Sequence, residues 1–261
     1  MKRIAICLCG ARGRMGRRLA ELIQQSDDLT LASAVERPAH PELGLEIAAG
    51  VELTADSARA AAAAAVILDF SSAQAVAEHL RLARSLKKPY VTGVTGLEPS
   101  TKKEMEEAAR HIPVLYSSNM SRGVWLLGRL VKLAAEGFPQ SDVEIFELHH
   151  AGKADAPSGT ALMLAELVQR TRGGEKIYGR QARRQPGEIG LASARGGDVV
   201  GEHQVYLLAP GEQIIITHRA TSRDHFCQGA LEAVRFVAGA PSGLYGMDDV
   251  FGKKASQEEK K

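Results

Sequence analysis

Through the first third of the chain, short apolar runs alternate with stretches in which apolar residues recur every three to four positions. Residues 4–9, 29–35, 66–70, 89–92 and 113–117 are continuous apolar runs of strand length, as expected for strands buried on both faces of a parallel sheet. Between them, residues 14–25, 57–65, 73–85 and 99–110 carry helical periodicity, and Pro99 suits the first turn of its helix. A βαβα series of this kind predicts a doubly wound sheet with helices on both faces. After Asn119 the pattern changes to a helix around 125–136 and a strand over 142–149. Pro157-Ser158-Gly159-Thr160 then opens another helix, and 189–195, 203–208 and 213–220 alternate like antiparallel strands. The second domain is therefore expected to be α+β with a mixed or antiparallel sheet. A helix over 224–238 and a charged tail, 253–261, close the chain, and the tail is expected to be disordered. The alanine run 60–65 predicts a plain exposed helix, alanine being the best helix former.

Composition adds little to this picture and removes several alternatives. The 261 residues are 44% hydrophobic and 25% charged, an ordinary globular balance for one or two domains. A formal net charge of +2 is too small for a nucleic-acid footprint, and no apolar run is long enough to span a bilayer. Met1-Lys2-Arg3 leads straight into the first strand rather than a signal peptide, so a cytoplasmic protein is expected. Cys7 and Cys9 share one face of that strand and Cys227 is distant, a pattern of small buried thiols rather than a disulfide framework.

Candidate chemistry concentrates in two places. Gly10-Ala11-Arg12-Gly13-Arg14-Met15-Gly16 follows the first strand and opens the first helix. A pyrophosphate needs close backbone approach, free N–H groups and the positive end of a helix, which such a turn supplies, so the first domain is expected to be Rossmann-like. Glu36 ends the second strand about 20 residues on, where a carboxylate can accept from ribose hydroxyls; Arg37 beside it suits a 2′-phosphate. The pair is compatible with NADH and with NADPH. Later strand ends rich in Gly, Ser and Thr, at 69–72, 93–96 and 117–120, fit backbone and small polar contacts to ribose and nicotinamide.

The second place is Glu147-Leu148-His149-His150-Ala151-Gly152-Lys153-Ala154-Asp155-Ala156-Pro157-Ser158-Gly159-Thr160-Ala161. Neighbouring strand residues point to opposite faces, so His149 and His150 cannot both be core residues if the strand continues. Lys153 adds a positive charge and a possible acid. Ser158-Gly159-Thr160 at a helix start offers donors to a carboxylate. A metal held by His149, His150 and His203 is disfavoured because adjacent strand histidines diverge and no metal motif surrounds them. Ser158 sits in PSGT, not a nucleophile elbow. His40, His79, His111, His218 and His225 stand outside any motif and are expected to be surface or satisfied side chains.

Four separated segments carry a resemblance over nearly the whole chain: GARGRMG at 10–16, GVTG at 93–96, HHAGKADAPSGTA at 149–161 and RGGDVVGEH at 195–203. Together they resemble the 4-hydroxy-tetrahydrodipicolinate (dihydrodipicolinate) reductase family, and the second-domain motif is the specific one. The resemblance implies hydride transfer from reduced nicotinamide to a cyclic imine bearing two carboxylates, in diaminopimelate and lysine biosynthesis. It implies proton donation by His149 and Lys153, with His150, Lys153, Gly159 and Thr160 holding the substrate carboxylates. Gly10, Ala11, Arg14, Met15, Glu36, Gly93, Val94 and Thr95, with Ser117, Ser118, Asn119 and Met120, match cofactor contacts, although some relatives carry an aromatic residue where Met120 stands. It further implies a homotetramer assembled through the second-domain sheet. The nucleotide domain, 1–119, is then completed by 222–261, leaving 120–221 for substrate and assembly. A nicotinamide sensor without turnover would have no need of Lys153 beside paired histidines.

Overall fold

A computed structural model describes residues 3–252, so the charged tail at 253–261 lies outside the described residues. The chain forms two compact units, Ser121–His225 and the described residues on either side of it.

In the first unit, β1 (Ile4–Cys9) leads to α1 (Arg14–Gln24), β2 (Leu29–Val35), β3 (Glu46–Ala48) and β4 (Val51–Thr54). α2 (Ser57–Ala62), β5 (Val66–Asp69), α3 (Ala73–Ser85), β6 (Tyr90–Thr92), α4 (Pro99–Ala109) and β7 (Pro113–Tyr116) follow. The sheet runs β13-β7-β6-β5-β1-β2-β4-β3, where β13 is Gly243–Tyr245; every pairing is parallel except β3 with β4. β1 thus lies at the centre with β2 on one side and β5 on the other, which is the switch point where doubly wound sheets bind ligands. β1 and β5 are buried nearly throughout, as their unbroken apolar runs predict. Cys7, Cys9 and Cys227 are free and buried.

The alanine run departs from expectation. α2 ends at Ala62, and Ala60, Ala61 and Ala64 are at most 3% exposed, packed in the core beneath the sheet with Val35, Ile67 and Val76. Alanine serves here for close approach rather than for propensity at a surface, because a larger side chain would hold the helix off β2.

In the second unit, α5 (Arg122–Gly137) precedes β8 (Asp142–His149), α6 (Gly159–Arg172), β9 (Glu175–Tyr178), β10 (Glu188–Arg195), β11 (Gly201–Ala209) and β12 (Glu212–Ala220). The sheet order is β12-β11-β8-β10-β9. β11 pairs antiparallel with β8 and β12, but β10 pairs parallel with both β8 and β9. The expectation that 189–195 is antiparallel is therefore corrected, and the sheet is mixed. The chain leaves β8 through α6 and returns along β10 in the same direction, a crossover that alternation along a strand cannot reveal. One sheet face packs Val143, Ile145, Ile189, Leu191, Val205 and Leu207 against α5 and α6. The chain re-enters the first unit at Phe226, within α7 (Asp224–Val237), and ends its described part with α8 (Met247–Phe251). No described helix is long and apolar enough to cross a membrane.

Candidate functional site

At the carboxyl end of β1 the chain turns on Gly10, with φ +75°, the left-handed region that glycine adopts without strain. Both Gly10 and Ala11 donate their N–H to the Val35 carbonyl at the end of β2, at 2.9 and 3.2 Å. A Cβ on Gly10 would lie 2.5 Å from the Phe70 carbonyl oxygen, and one on Gly16 2.0 Å from the Gly10 oxygen. The turn is therefore closed against β5 and against its own helix by backbone contact. Gly13 and Arg14 are exposed, and Gly13 at the helix N-cap brings no side chain to cap the first amides of α1. A helix start left without a side-chain cap is suited to an anion.

Glu36 follows β2, and its carboxylate accepts from the Arg12 and Arg37 amides at 3.2 and 3.1 Å, bringing the predicted acidic residue to the glycine turn. Arg12 pairs through its guanidinium with Glu42, so its charge is already spoken for; Arg37 is exposed. Gly93 follows β6, and a Cβ there would lie 2.5 Å from the Phe70 ring. Val94 donates its amide to Thr92 Oγ1 at 3.2 Å, while Thr95 is exposed. Beyond β7, Ser117 Oγ donates to the Asn119 carbonyl at 2.6 Å; Ser118 is exposed and Met120 is 2% exposed. The predicted cofactor residues thus share the carboxyl ends of β1, β2, β6 and β7.

Beneath these turns, Asp69 at the end of β5 is fully buried. It accepts from Tyr90 Oη at 2.6 Å, from the Ser71 amide and hydroxyl at 2.9 and 2.5 Å, and pairs with His79 Nδ1 at 2.7 Å. Burial alone would raise its pKa, but the His79 bond and charge, with the two hydroxyls, hold it below the usual range. His79 is the satisfied histidine expected from its lack of a motif.

In the second unit the polar site grows out of strand register. β8 alternates with Val143, Ile145, Glu147 and His149 buried on one face. Cross-strand neighbours share that face: Ser193 and His203 lie opposite Glu147, and Arg195 opposite His149. The inner layers of the sheet are apolar and its last two are ionisable.

Glu147 is fully buried. Arg195 clamps it with two bonds, Nη2 to Oε1 at 2.8 Å and Nη1 to Oε2 at 2.9 Å; the Ser158 amide donates to Oε1 at 3.2 Å, and His149 Nδ1 meets Oε2. Burial pushes the Glu147 pKa up, but Arg195, Ser193 and His149 outweigh it and hold the group ionised. His149 is only 8% exposed, and burial, with the Lys153 and Arg195 charges, holds its pKa below the ordinary range against the opposing pull of Glu147.

β8 ends at His149, so His150 falls just beyond it and is half-buried in the turn, its carbonyl accepting the Lys153 amide at 3.1 Å. Lys153 Nζ donates to Asp155 Oδ1 at 2.6 Å. Ser158 caps α6, its hydroxyl accepting the Ala161 amide at 3.2 Å and meeting His203 Nε2 at 3.1 Å. Gly159 is exposed and Thr160 half-buried in the first turn. The His149 and His203 rings meet edge to face at 5.1 Å. A Cβ on Gly201 would lie 3.0 Å from His149 Nε2, so the glycine leaves the room that ring occupies.

The structure gathers His149, His150, Lys153, Ser158, Gly159 and Thr160 at one end of this sheet. Glu147, Arg195, His203 and Asp155 complete the cluster; all four fall in the segments read from the sequence, which gives none of them a catalytic or binding role. Glu147 and Arg195 are 48 residues apart, and alternation gave no sign of their pairing. Among the described residues, no group of three or more His, Cys, Asp or Glu side chains is arranged to hold a metal ion.

A glycine turn closed by backbone at the switch point of a doubly wound sheet, in a chain that also carries a buried acid–imidazole pair beside a lysine, defines the class of NAD(P)H-dependent oxidoreductases. Models for the N-terminus and C-terminus of dihydrodipicolinate reductase match residues 4–120 and 123–251. The chain is 41% identical to a 4-hydroxy-tetrahydrodipicolinate reductase of Anaeromyxobacter sp. strain Fw109-5, covering 97% of this chain and 100% of that protein. It is 40% identical to the reductase of the same name from Nitrosomonas europaea, covering 97% and 99%. A dipicolinate-bound dihydrodipicolinate reductase from Paenisporosarcina sp. TG-14 shares the fold, with a TM-score of 0.80 at 22% identity over 95% of this chain and 99% of that one. The chain belongs to the dihydrodipicolinate reductase family.

Proposed function

We propose that this chain reduces 4-hydroxy-tetrahydrodipicolinate, by way of dihydrodipicolinate, to tetrahydrodipicolinate in diaminopimelate and lysine biosynthesis, with NADH or NADPH as reductant. The observation that carries the reading is the buried Glu147–His149 pair with Lys153 in the turn that follows β8, in the same polar cluster. The substrate loses water, then gains one hydride and one proton. The reduced nicotinamide, when bound, supplies the hydride. Hydride addition to a conjugated imine builds electron density, which a proton from His149 Nε2 or Lys153 Nζ quenches. Two arriving carboxylates favour the cationic form of His149, which burial disfavours in the free protein. Lys153 exchanges Asp155 for a substrate carboxylate, one anion for another. His150 and the start of α6, Ser158 to Thr160, hold the carboxylates.

In the same reading, Gly10 to Gly16 cradle the pyrophosphate, with Ala11, Arg12, Gly13, Arg14 and Met15 lining it. Glu36 accepts from the adenosine ribose and Arg37 stands ready for a 2′-phosphate; Gly93, Val94, Thr95 and Ser117 to Met120 serve the nicotinamide side. Residues 1–119 with 222–261 form the nucleotide domain and 120–221 the substrate domain. The protein works in the cytoplasm as a homotetramer. Support for assembly comes from the second sheet face of that domain, where Ile215 on the edge strand β12 is 49% exposed.

Coupling the purified protein to the synthase that makes the substrate, and following reduced-nicotinamide absorbance with NADH and then NADPH, tests the reading. Turnover is expected with at least one, and its absence with both would refute the activity.

A further inference from the structure

Glu147 has more hydrogen-bond partners than a structural ion pair with Arg195 requires. Its two oxygens receive at least four donors: Arg195 and the Ser158 amide on one, Arg195 and the His149 ring on the other. It lies two residues before His149 on the same face of β8, and it is fully buried where a carboxylate is costly. We propose that Glu147 is the positioning residue of this site: its carboxylate accepts the Nδ1 proton of His149 and fixes the imidazole with Nε2 as the nitrogen that exchanges the transferred proton.

This rests on the reading of His149 as a proton donor. A neutral imidazole carries one N–H, and whichever nitrogen meets an acceptor-only partner must bear it. An ionised carboxylate accepts and cannot donate, so Nδ1 holds the proton and the Nε2 lone pair is free. Nε2 lies against Gly201, where an added Cβ would be 3.0 Å away. The charged and titratable groups facing His149 come from four directions. Glu147 lies on its own strand, Arg195 on β10, His203 on β11, and Lys153, already paired with Asp155, in the turn that follows. Of these, Arg195 and Lys153 oppose a second proton on the ring, as does burial, and Glu147 favours it. The carboxylate therefore sets both the orientation of the ring and how readily it becomes a cation. Arg195 in turn keeps Glu147 ionised, so that it accepts rather than donates.

Nitrogen-15 NMR of histidine-labelled full-length protein reads the tautomer directly. In the wild type, neutral His149 is expected to carry its proton on Nδ1; a proton on Nε2 would overturn the proposal. Glu147→Gln presents Nδ1 with an amide and removes the charge, and its turnover is expected to fall about 10- to 1,000-fold, between the loss of a supporting partner and that of a triad carboxylate. KM for the substrate should change little. The alkaline limb of the rate profile should move to lower pH, because the donor form is lost at lower pH once the favouring charge is gone. Glu144→Gln, on the same strand but paired with Arg180 and Arg184, should leave that limb in place. A folded Glu147→Gln protein with wild-type tautomer and profile contradicts the proposal, and if that variant does not fold, the wild-type tautomer decides. Loss of activity in His149→Ala alongside a wild-type-like Glu147→Gln would sink this proposal alone; full activity in His149→Ala would sink the reading beneath it.

Discussion

His203 shows what the polar end of the second sheet costs. It is 4% exposed, its Nδ1 has no hydrogen-bond partner among the described residues, and burial first, then the nearby His149 charge, lowers its pKa from 6.5 to about 4. The folded protein therefore binds a proton here less readily than the unfolded chain, so this contribution is complete above pH 6.5 and is lost as pH falls toward 4. At about 1.4 kcal/mol per pH unit the interval corresponds to about 3 kcal/mol, a large part of a typical domain's stability. His149, His218 and His225 are shifted in the same direction, chiefly by burial, and add to the trend. Chemical denaturation of the wild type and of His203→Gln between pH 7 and pH 4 checks this: the variant should lose visibly less stability on acidification, and parallel curves would contradict it. At this scale the sequence singled out His149, His150 and Lys153 by residue type, His149 at the end of β8 and the other two just beyond it. It hid Glu147, because a glutamate in an alternating strand looks like a solvent-facing position until its clamp arrives from β10.

Elements were legible in proportion to their length and apolar periodicity. The runs that became β1, β2, β5 and β8 were continuous or cleanly alternating and fell where expected. Residues 46–48, 51–54, 175–178 and 243–245 form strands as short as β5, β6 and β7 but lack their apolar runs, and are seen only once a sheet edge pairs with them. The direction of β10 was hidden for another reason. Alternation fixes which face a side chain takes and says nothing of strand polarity. The glycine turn was legible because its spacing reports a backbone requirement, and the geometry makes that requirement testable. Gly16→Ala places a Cβ against the Gly10 oxygen and must shift the start of α1. Cofactor affinity by titration calorimetry should fall at least about tenfold, or about 1.4 kcal/mol; an unchanged Kd would mean the turn is not where the cofactor sits.

For the whole molecule, the second-unit sheet has one face packed on helices and another on which Phe146, Leu148 and Tyr206 remain partly open, beside the exposed Ile215. Ile215→Glu places a charge on that face at an edge strand, and light scattering is expected to show a smaller assembly than the wild type with the fold kept. An unchanged mass would contradict the proposed assembly through this face. Catalysis is the larger test. His149→Ala and Lys153→Ala should each cut turnover by about two to four orders of magnitude while binding reduced cofactor normally; unchanged turnover in both would remove them from the mechanism. The most direct measurement follows the hydride itself. With the cofactor deuterated at the transferring position of nicotinamide C4, mass spectrometry of tetrahydrodipicolinate should show one deuterium per cofactor oxidised by the wild type. Product lacking deuterium, or cofactor oxidised without product, would contradict the account.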